Sequence, residues 1–203
     1  KLNFENFGLL GLLGISFSIT ISYFSAIFFV HNYVFNSIFL LLGIISFIFY
    51  SKRISKFKQN IIYTFFVFSL MLIFVFVAKN HDDFGYYHFP YSYLLTQIEH
   101  PIGLGLLNNG FRNHSSIFFL NSLFYLPKIS FYLLHIAPVY FLGFTNLVLF
   151  DFIRDKKLFE KFKFINFFSL MIITFINIFF YRLAEHGTDR SGMILIFLIS
   201  LFA

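Results

Sequence analysis

Long apolar runs constrain this chain more than any other feature. A helix needs roughly 20 residues to cross the hydrocarbon core of a membrane, and several runs approach or exceed that length. The complete runs are residues 7–30, 33–50, 61–78, 129–150 and 164–181, and a shorter one covers 192–203. Because a backbone in lipid must satisfy its hydrogen bonds within its own segment, each run is expected to be a helix. The sequence therefore predicts an all-α fold, a polytopic transmembrane helix bundle with about five complete spans and a truncated sixth.

The composition excludes a soluble domain. The chain of 203 residues is 59% hydrophobic and 12% charged, with a mean hydropathy of +0.80, which leaves too little polar surface for a water-soluble fold. Zero cysteines rule out disulfides, thiolate metal ligands and a cysteine nucleophile. The chain starts without methionine and ends inside an apolar run. We therefore expect residues 1–203 to be a single transmembrane domain from a longer chain.

Basic residues indicate how the spans are oriented. They concentrate in the connections 51–60 and 151–163, which the positive-inside rule places in the cytoplasm. The net charge of +6 therefore reports topology and does not indicate nucleic acid binding. The connections 79–128 and 182–191 then face the extracytoplasmic side, and most of the histidines and acidic residues fall in these two.

The large extracytoplasmic connection 79–128 carries two short predicted helices. One covers residues 90–99, because its proline suits a first helical turn. After a turn rich in Gly and Asn, Ser115 or Ser116 caps a second helix over residues 117–126. Since this helix is apolar and too short to span, we expect the connection to hold interfacial helices.

Two features of the spans predict how they pack. Gly8, Gly11 and Gly14 form a small-residue stripe that suits close helix packing. His135 and Pro138 fall inside the run 129–150, where a buried histidine beside a proline kink is the favoured interpretation.

Polar chemistry concentrates just after the third apolar run. Asp82 and Asp83 are adjacent carboxylates in a predicted loop, where one can act as a general base while the other orients a cation or a partner. His81 and His88 flank them and could join them in binding a divalent metal, although nothing in the sequence defines a coordination geometry. The alternatives are a solvated loop end near Lys79 and histidines that only hydrogen-bond at the interface.

Two further polar clusters lie on the same side. The second extracytoplasmic connection is dense in ionisable residues: Arg182, Glu185, His186, Asp189 and Arg190. Arg182 and Arg190 could clamp a phosphate through bidentate hydrogen bonds, and a network of internal salt bridges is the equal alternative. Arg112 and His114 form the other cluster and are candidate substrate-binding residues.

These stretches resemble the GT-C superfamily of polytopic membrane glycosyltransferases, and more narrowly a bacterial GT-C-like branch. The similarity is carried by residues 81–90, 103–116 and 185–190 and extends over about residues 61–200. In GT-C enzymes an acidic pair follows a span in the first large outer loop. The chain departs from that pattern, because two apolar runs precede the one that leads to its acidic pair.

The resemblance implies an enzyme of the bacterial plasma (inner) membrane with its active face outside. It implies a polyprenyl-phosphate-linked sugar as donor, membrane lipid as surroundings and Asp82 or Asp83 as the group that activates the acceptor. The sugar, the acceptor, any metal and the oligomeric state stay undetermined.

Three other functions remain open at this point. A polysaccharide polymerase or ligase would also handle lipid-linked glycans at that face and shares outer arginines and histidines. A non-enzymatic transporter would use the acidic loop as a cation vestibule, but the complete runs contain no Asp, Glu, Lys or Arg in their cores. A structural membrane subunit is the third alternative.

Overall fold

The computed structural model describes residues 6–52, 54, 56–76, 82–100, 102–154, 163–179 and 188–202. Over these residues the chain is helical and has no β-strand, and the one β-bridge joins Leu126 and Ser130. The predicted all-α class is therefore confirmed for the described part of the chain.

The helices follow the apolar runs in order. The α-helices are Phe7–Ala26 (α1), Tyr33–Ser51 (α2), Phe57–Phe76 (α3), Phe89–Leu94 (α4), Ser116–Ser122 (α5), Ala137–Arg154 (α6), Lys163–Phe179 (α7) and Thr188–Phe202 (α8). A π-helix covers Phe84–His88, and 3₁₀ turns cover Leu104–Leu106, Asn109–Arg112 and Phe131–Leu133.

Three helices, α1, α2 and α6, are long and apolar enough to cross a membrane. Their surroundings differ, because 61% of the α6 window is buried by protein whereas only 6% of the α2 window is. The apolar stretches Phe57–Leu72 in α3 and Phe164–Phe179 in α7 are shorter. Length and composition therefore support transmembrane character for three helices. The predicted count of about five spans is not confirmed.

The fourth predicted span begins later than the sequence indicated. Residues 129–136 form a turn and a 3₁₀ segment, and α6 begins at Ala137. Lys128 and Ser130 have φ angles of 67° and 50°, which a continuous helix cannot contain. Pro138 is the second residue of α6, where a missing N–H costs nothing, and His135 precedes the helix. The prediction of a kink within the span was wrong.

The acidic pair is part of a helical segment and does not lie in an irregular loop. Asp82 and Asp83 are helical, and the π-helix and α4 continue the segment to Leu94. The predicted helix over 90–99 thus starts earlier and ends earlier than expected. Pro90 explains the wide turn, because its ring would crowd the carbonyl four residues upstream in a regular α-helix.

The second predicted helix is confirmed at its start and is shorter than predicted. The Ser115 hydroxyl accepts a hydrogen bond from the Ile117 amide (3.4 Å) and so caps α5, as expected. The helix ends at Ser122 because the chain turns there, four residues before the predicted end. All its residues from Ile117 onward are buried. Protein therefore encloses the side chains of α5, and the position of this helix in a membrane interface stays a prediction.

The described chain divides into two units. The helical unit comprises Lys1–Gly14, Ser55–Ala78 and Pro138–Ala203, and the loop unit comprises Ile15–Ile54 and Lys79–Ala137. Each has its own packing.

Close contacts hold the helical unit together. A Cβ on Gly8 would lie 2.5 Å from the Val148 amide nitrogen, and one on Gly11 would overlap the Phe144 ring. Gly14, the third glycine of the stripe, has no such neighbour among the described residues. The predicted close packing is therefore confirmed for two of the three glycines. In the same unit, the Asn146 and Asn177 side chains exchange two hydrogen bonds of 3.0 and 2.7 Å between α6 and α7.

In the loop unit, the turn between α1 and α2 is fastened to the large connection. The His31 amide donates to the Leu95 carbonyl (3.0 Å), and the His100 amide donates to the Ala26 carbonyl (2.7 Å). Because backbone hydrogen bonds join them, the position of the turn between α1 and α2 is fixed relative to α4. This unit contains the predicted acidic site.

Candidate functional site

The acidic end of the segment 82–94 is the open part of the candidate site. Asp82 is exposed, Asp83 is half-buried, and Tyr86 presents 54% of its side chain to the surroundings. The segment then turns inward, so that His88 and Tyr91 are buried.

The 3₁₀ turn Asn109–Arg112 packs against this segment. Gly110 lets it approach, since a Cβ at that position would lie 2.7 Å from the Tyr87 ring. The Asn108 side chain caps the turn by accepting from the Gly110 amide (2.8 Å). Arg112 is exposed, and its Nε donates to the Gly105 carbonyl (3.0 Å), which leaves the rest of the guanidinium for other acceptors. The structure thus brings the acidic segment and the Arg112 cluster into one unit.

Beyond this turn, an aromatic cluster packs against two histidines, His100 and His114. The Tyr91 hydroxyl lies 3.3 Å from Nδ1 of His114, and the His114 and His100 rings are 5.9 Å apart. Burial raises the pKa of Tyr91 to about 12. Burial, and then the charge of His114, lowers the pKa of His100. At neutral pH this corner therefore presents a neutral phenol and a neutral imidazole beside the exposed His114.

His88 does not reach the open end of the site. It is buried, with its ring 4.3 Å from that of Tyr87 and 5.2 Å from that of Phe118. Within the described ranges, no group of three or more histidines and carboxylates is placed to hold a metal ion. A divalent metal therefore stays a prediction from the sequence.

The remaining predicted site residues divide into two sets. His81, Arg182, Glu185 and His186 lie outside the described residues. Asp189 and Arg190 occupy the first turn of α8 in the helical unit, with Asp189 exposed and Arg190 half-buried. The Asp189 carboxylate suits that helix end. Nη1 of Arg190 is buried without a hydrogen-bond partner among the described residues.

A buried polar network beneath the site escaped the sequence analysis. Nδ1 of His31 lies 2.6 Å from the Ser122 hydroxyl, and Nε2 lies 2.8 Å from the Ser25 hydroxyl. The Ser122 hydroxyl also donates to the Phe119 carbonyl (2.7 Å) and the Ser25 hydroxyl to the Ser22 carbonyl (3.3 Å), so the ring lies between two hydroxyls that are tied to the backbone. Burial lowers the pKa of His31 to about 4, which keeps the ring neutral.

Asn36 continues the network from α2. Its side-chain nitrogen lies 2.8 to 2.9 Å from the carbonyls of His31, Ser122 and Tyr125, which share its two N–H groups. Asn121 accepts from the Ala137 amide (2.9 Å). The available sequence signal was a polar residue, Asn36, inside an otherwise apolar run next to the His31 break.

An apolar groove opens beside this network in the loop unit. It has a volume of about 300 Å³ and lies between α2 and the residues of α5 and its C-terminal turn. Phe39, Leu40 and Phe47 line one wall, and Leu120 and Leu123 line the other. Asn36 and Ser18 supply its polar atoms.

Comparisons with protein-family models, with curated proteins and with solved structures find no match to this chain.

Proposed function

We propose that the protein is a membrane glycosyltransferase that moves a sugar from a polyprenyl-phosphate donor to an acceptor at the extracytoplasmic face of the bacterial inner membrane. The observation that carries the proposal is the packing of the acidic segment 82–94 against the turn that presents Arg112. Carboxylates and an exposed cation in one unit are the groups that this transfer needs. The GT-C resemblance of the same residues supports it.

In this scheme an Asp82 or Asp83 carboxylate removes the proton of the acceptor hydroxyl. The hydroxyl oxygen forms a bond to the anomeric carbon, the bond between that carbon and the phosphate oxygen breaks, and polyprenyl phosphate leaves. The exposed position of Asp82 favours it as the base over Asp83.

Cations would stabilise the charge that builds on the leaving phosphate. Arg112 is the described candidate, since only its Nε is engaged by the Gly105 carbonyl. His114 lies beside it in the chain and is exposed. Arg182, Glu185, His186, Asp189 and Arg190 of the second connection are the other substrate-binding residues proposed from the sequence, with the two arginines as a phosphate clamp.

The lipid part of the donor needs an apolar channel. The groove between α2 and α5 supplies apolar walls and a volume of about 300 Å³, enough for part of a polyprenyl chain. In the full proposal, α3 and α7 join α1, α2 and α6 as spans, giving about five, and α8 begins a sixth.

The test uses the protein in nanodiscs with a panel of radiolabelled polyprenyl-phosphate sugars. The double variant Asp82→Asn/Asp83→Asn keeps size and polarity but removes the base, so transfer should fall by about a hundredfold or more. Glu99→Gln, an exposed carboxylate of the same connection, is the matched control and should keep full transfer.

Two outcomes would contradict the proposal. Full activity in the double variant would remove the aspartates from the mechanism. No transfer from any donor by the parent protein would favour a polymerase, a ligase or a transporter.

A further inference from the structure

Three large apolar side chains protrude from the large connection of the loop unit. Ile102 is 93% exposed, Leu106 is 88% exposed and Leu107 is 81% exposed. We name these three side chains the apolar tip. They are the most exposed large hydrophobic residues of the described chain, including those of the membrane-spanning helices. An ordered segment that presents such side chains together needs an apolar surface to cover them.

The tip is held in place by the fold. The Leu106 amide donates to the Gly103 carbonyl and the Leu107 amide to the Leu104 carbonyl, both at 2.9 Å. Gly103 has a φ of 85°, which turns the chain into this 3₁₀ segment. Leu104, between the exposed residues, packs inward on the buried cluster that includes Tyr91. In this segment Leu104 therefore anchors the chain to the buried cluster, whereas the three side chains of the apolar tip point outward.

A cation braces the base of the tip. Nε of Arg112 donates to the Gly105 carbonyl, and the side-chain stem of Arg112 lies against Gly105. The guanidinium is exposed. Residues 100–150 contain Arg112 and Lys128 but no Asp or Glu. Apolar side chains beside a basic group match lipid tails beside lipid phosphates.

The position of the tip favours a bilayer over a protein partner. The loop unit also contains α2, an apolar helix in which Asn36 is the one buried residue, as expected for a helix surrounded by lipid. A connection that continues from such a unit lies next to a membrane surface.

We propose that the apolar tip inserts into the hydrocarbon of the adjacent bilayer leaflet, with the Arg112 guanidinium at the level of the lipid phosphates. The tip anchors the large connection to the membrane and so holds the acidic segment at a constant height above it. This inference requires a membrane protein but does not rest on sugar transfer.

Because the chain has no cysteine, single labels can be placed without background. Leu106→Cys carries an environment-sensitive NBD fluorophore on the tip, and Glu99→Cys carries it on an exposed polar position of the same connection. The protein is reconstituted in vesicles of phosphatidylglycerol and phosphatidylethanolamine. Nitroxide-labelled acyl chains quench a fluorophore that lies in the bilayer, and iodide quenches a fluorophore that lies in water.

The tip label should be blue-shifted, quenched by the nitroxide lipids and quenched by iodide several-fold less than the label at position 99. A second label at Leu107→Cys should behave like the first, which guards against a variant that fails to fold. Iodide quenching equal to that of the control would overturn the proposal, because the tip would lie in water. Protection from both quenchers would also overturn it, because protein would then cover the tip. No sugar donor is present, so either result is independent of the transferase test.

Discussion

Helices α2 and α5 belong to the same unit but differ in where their apolar side chains lie. In α2, which has 19 residues, the one buried side chain is that of Asn36. In α5, which has seven residues, all six from Ile117 onward are buried. The more apolar and longer helix therefore contributes little to the protein core, whereas the short helix forms it. Apolar side chains that face lipid gain no hydrophobic stabilisation from helix association.

The strongest test of this comparison removes one ring from α5. Phe119 is completely buried and stacks on Tyr23 at 4.0 Å. Phe119→Ala should lower the free energy of unfolding by about 3–5 kcal/mol, because it leaves a cavity in a packed core. The measurement is an SDS unfolding titration in mixed micelles.

Leu41→Ala in α2 is the matched control, since Leu41 is 57% exposed. It should change the same free energy by about 0.5 kcal/mol or less. Similar losses for the two variants would show that α2 packs against protein over that face and would remove the contrast.

The second prediction concerns the histidine that joins α2 to α5. Because burial lowers the pKa of His31 to about 4, the folded state binds fewer protons than the unfolded state below the ordinary value of 6.5. The stabilisation is complete above pH 6.5 and is lost as the pH falls from about 6.5 to about 4. The loss should reach about 3 kcal/mol.

The pH dependence can be assigned with His31→Gln. Unfolding titrations between pH 7 and pH 4 should lose most of their pH dependence in this variant, with a smaller slope remaining from His100, whose pKa burial also lowers. An unchanged slope would mean that His31 is protonated in the folded protein and that its ring is not enclosed as described.

The third prediction applies the same contrast to two glycines of α1. Gly11 lies against the Phe144 ring, whereas Gly14 has open space around it in the described structure. Gly11→Ala should cost about 1–3 kcal/mol through crowding. Gly14→Ala should be neutral or stabilise slightly, because alanine favours the helix. Unfolding titrations of both variants check this, and an equal response would place both glycines in the same surroundings.

Much of the secondary structure could be predicted from the sequence, and the boundaries show where prediction stopped. The apolar runs located α1, α2, α3, α6 and α7 because a span-length run leaves the backbone no alternative to a helix. The start of α6 was misplaced by eight residues, since apolar composition continues through the turn at 129–136. Positive φ angles at Lys128 and Ser130 have no signal in residue type.

The candidate site was predictable in its residues and not in its arrangement. The polar stretch 81–88 stands out against an apolar chain, so Asp82 and Asp83 could be selected by composition alone. Their helical conformation, and the burial of His88, depend on the wide turn before Pro90 and on packing against Phe118. A hydropathy pattern predicts neither the wide turn nor this packing contact.

By itself, the sequence determined that this chain is helical and suited to lipid, because apolar length and hydrogen-bond satisfaction are local properties. It also determined which residues are chemically equipped for a site. Only the tertiary structure decided which apolar residues form the core and which face outward, since that depends on contacts between distant segments such as α1, α2 and α5. For the same reason only the folded chain placed the turn that presents Arg112 against the acidic segment and turned the apolar tip away from the core.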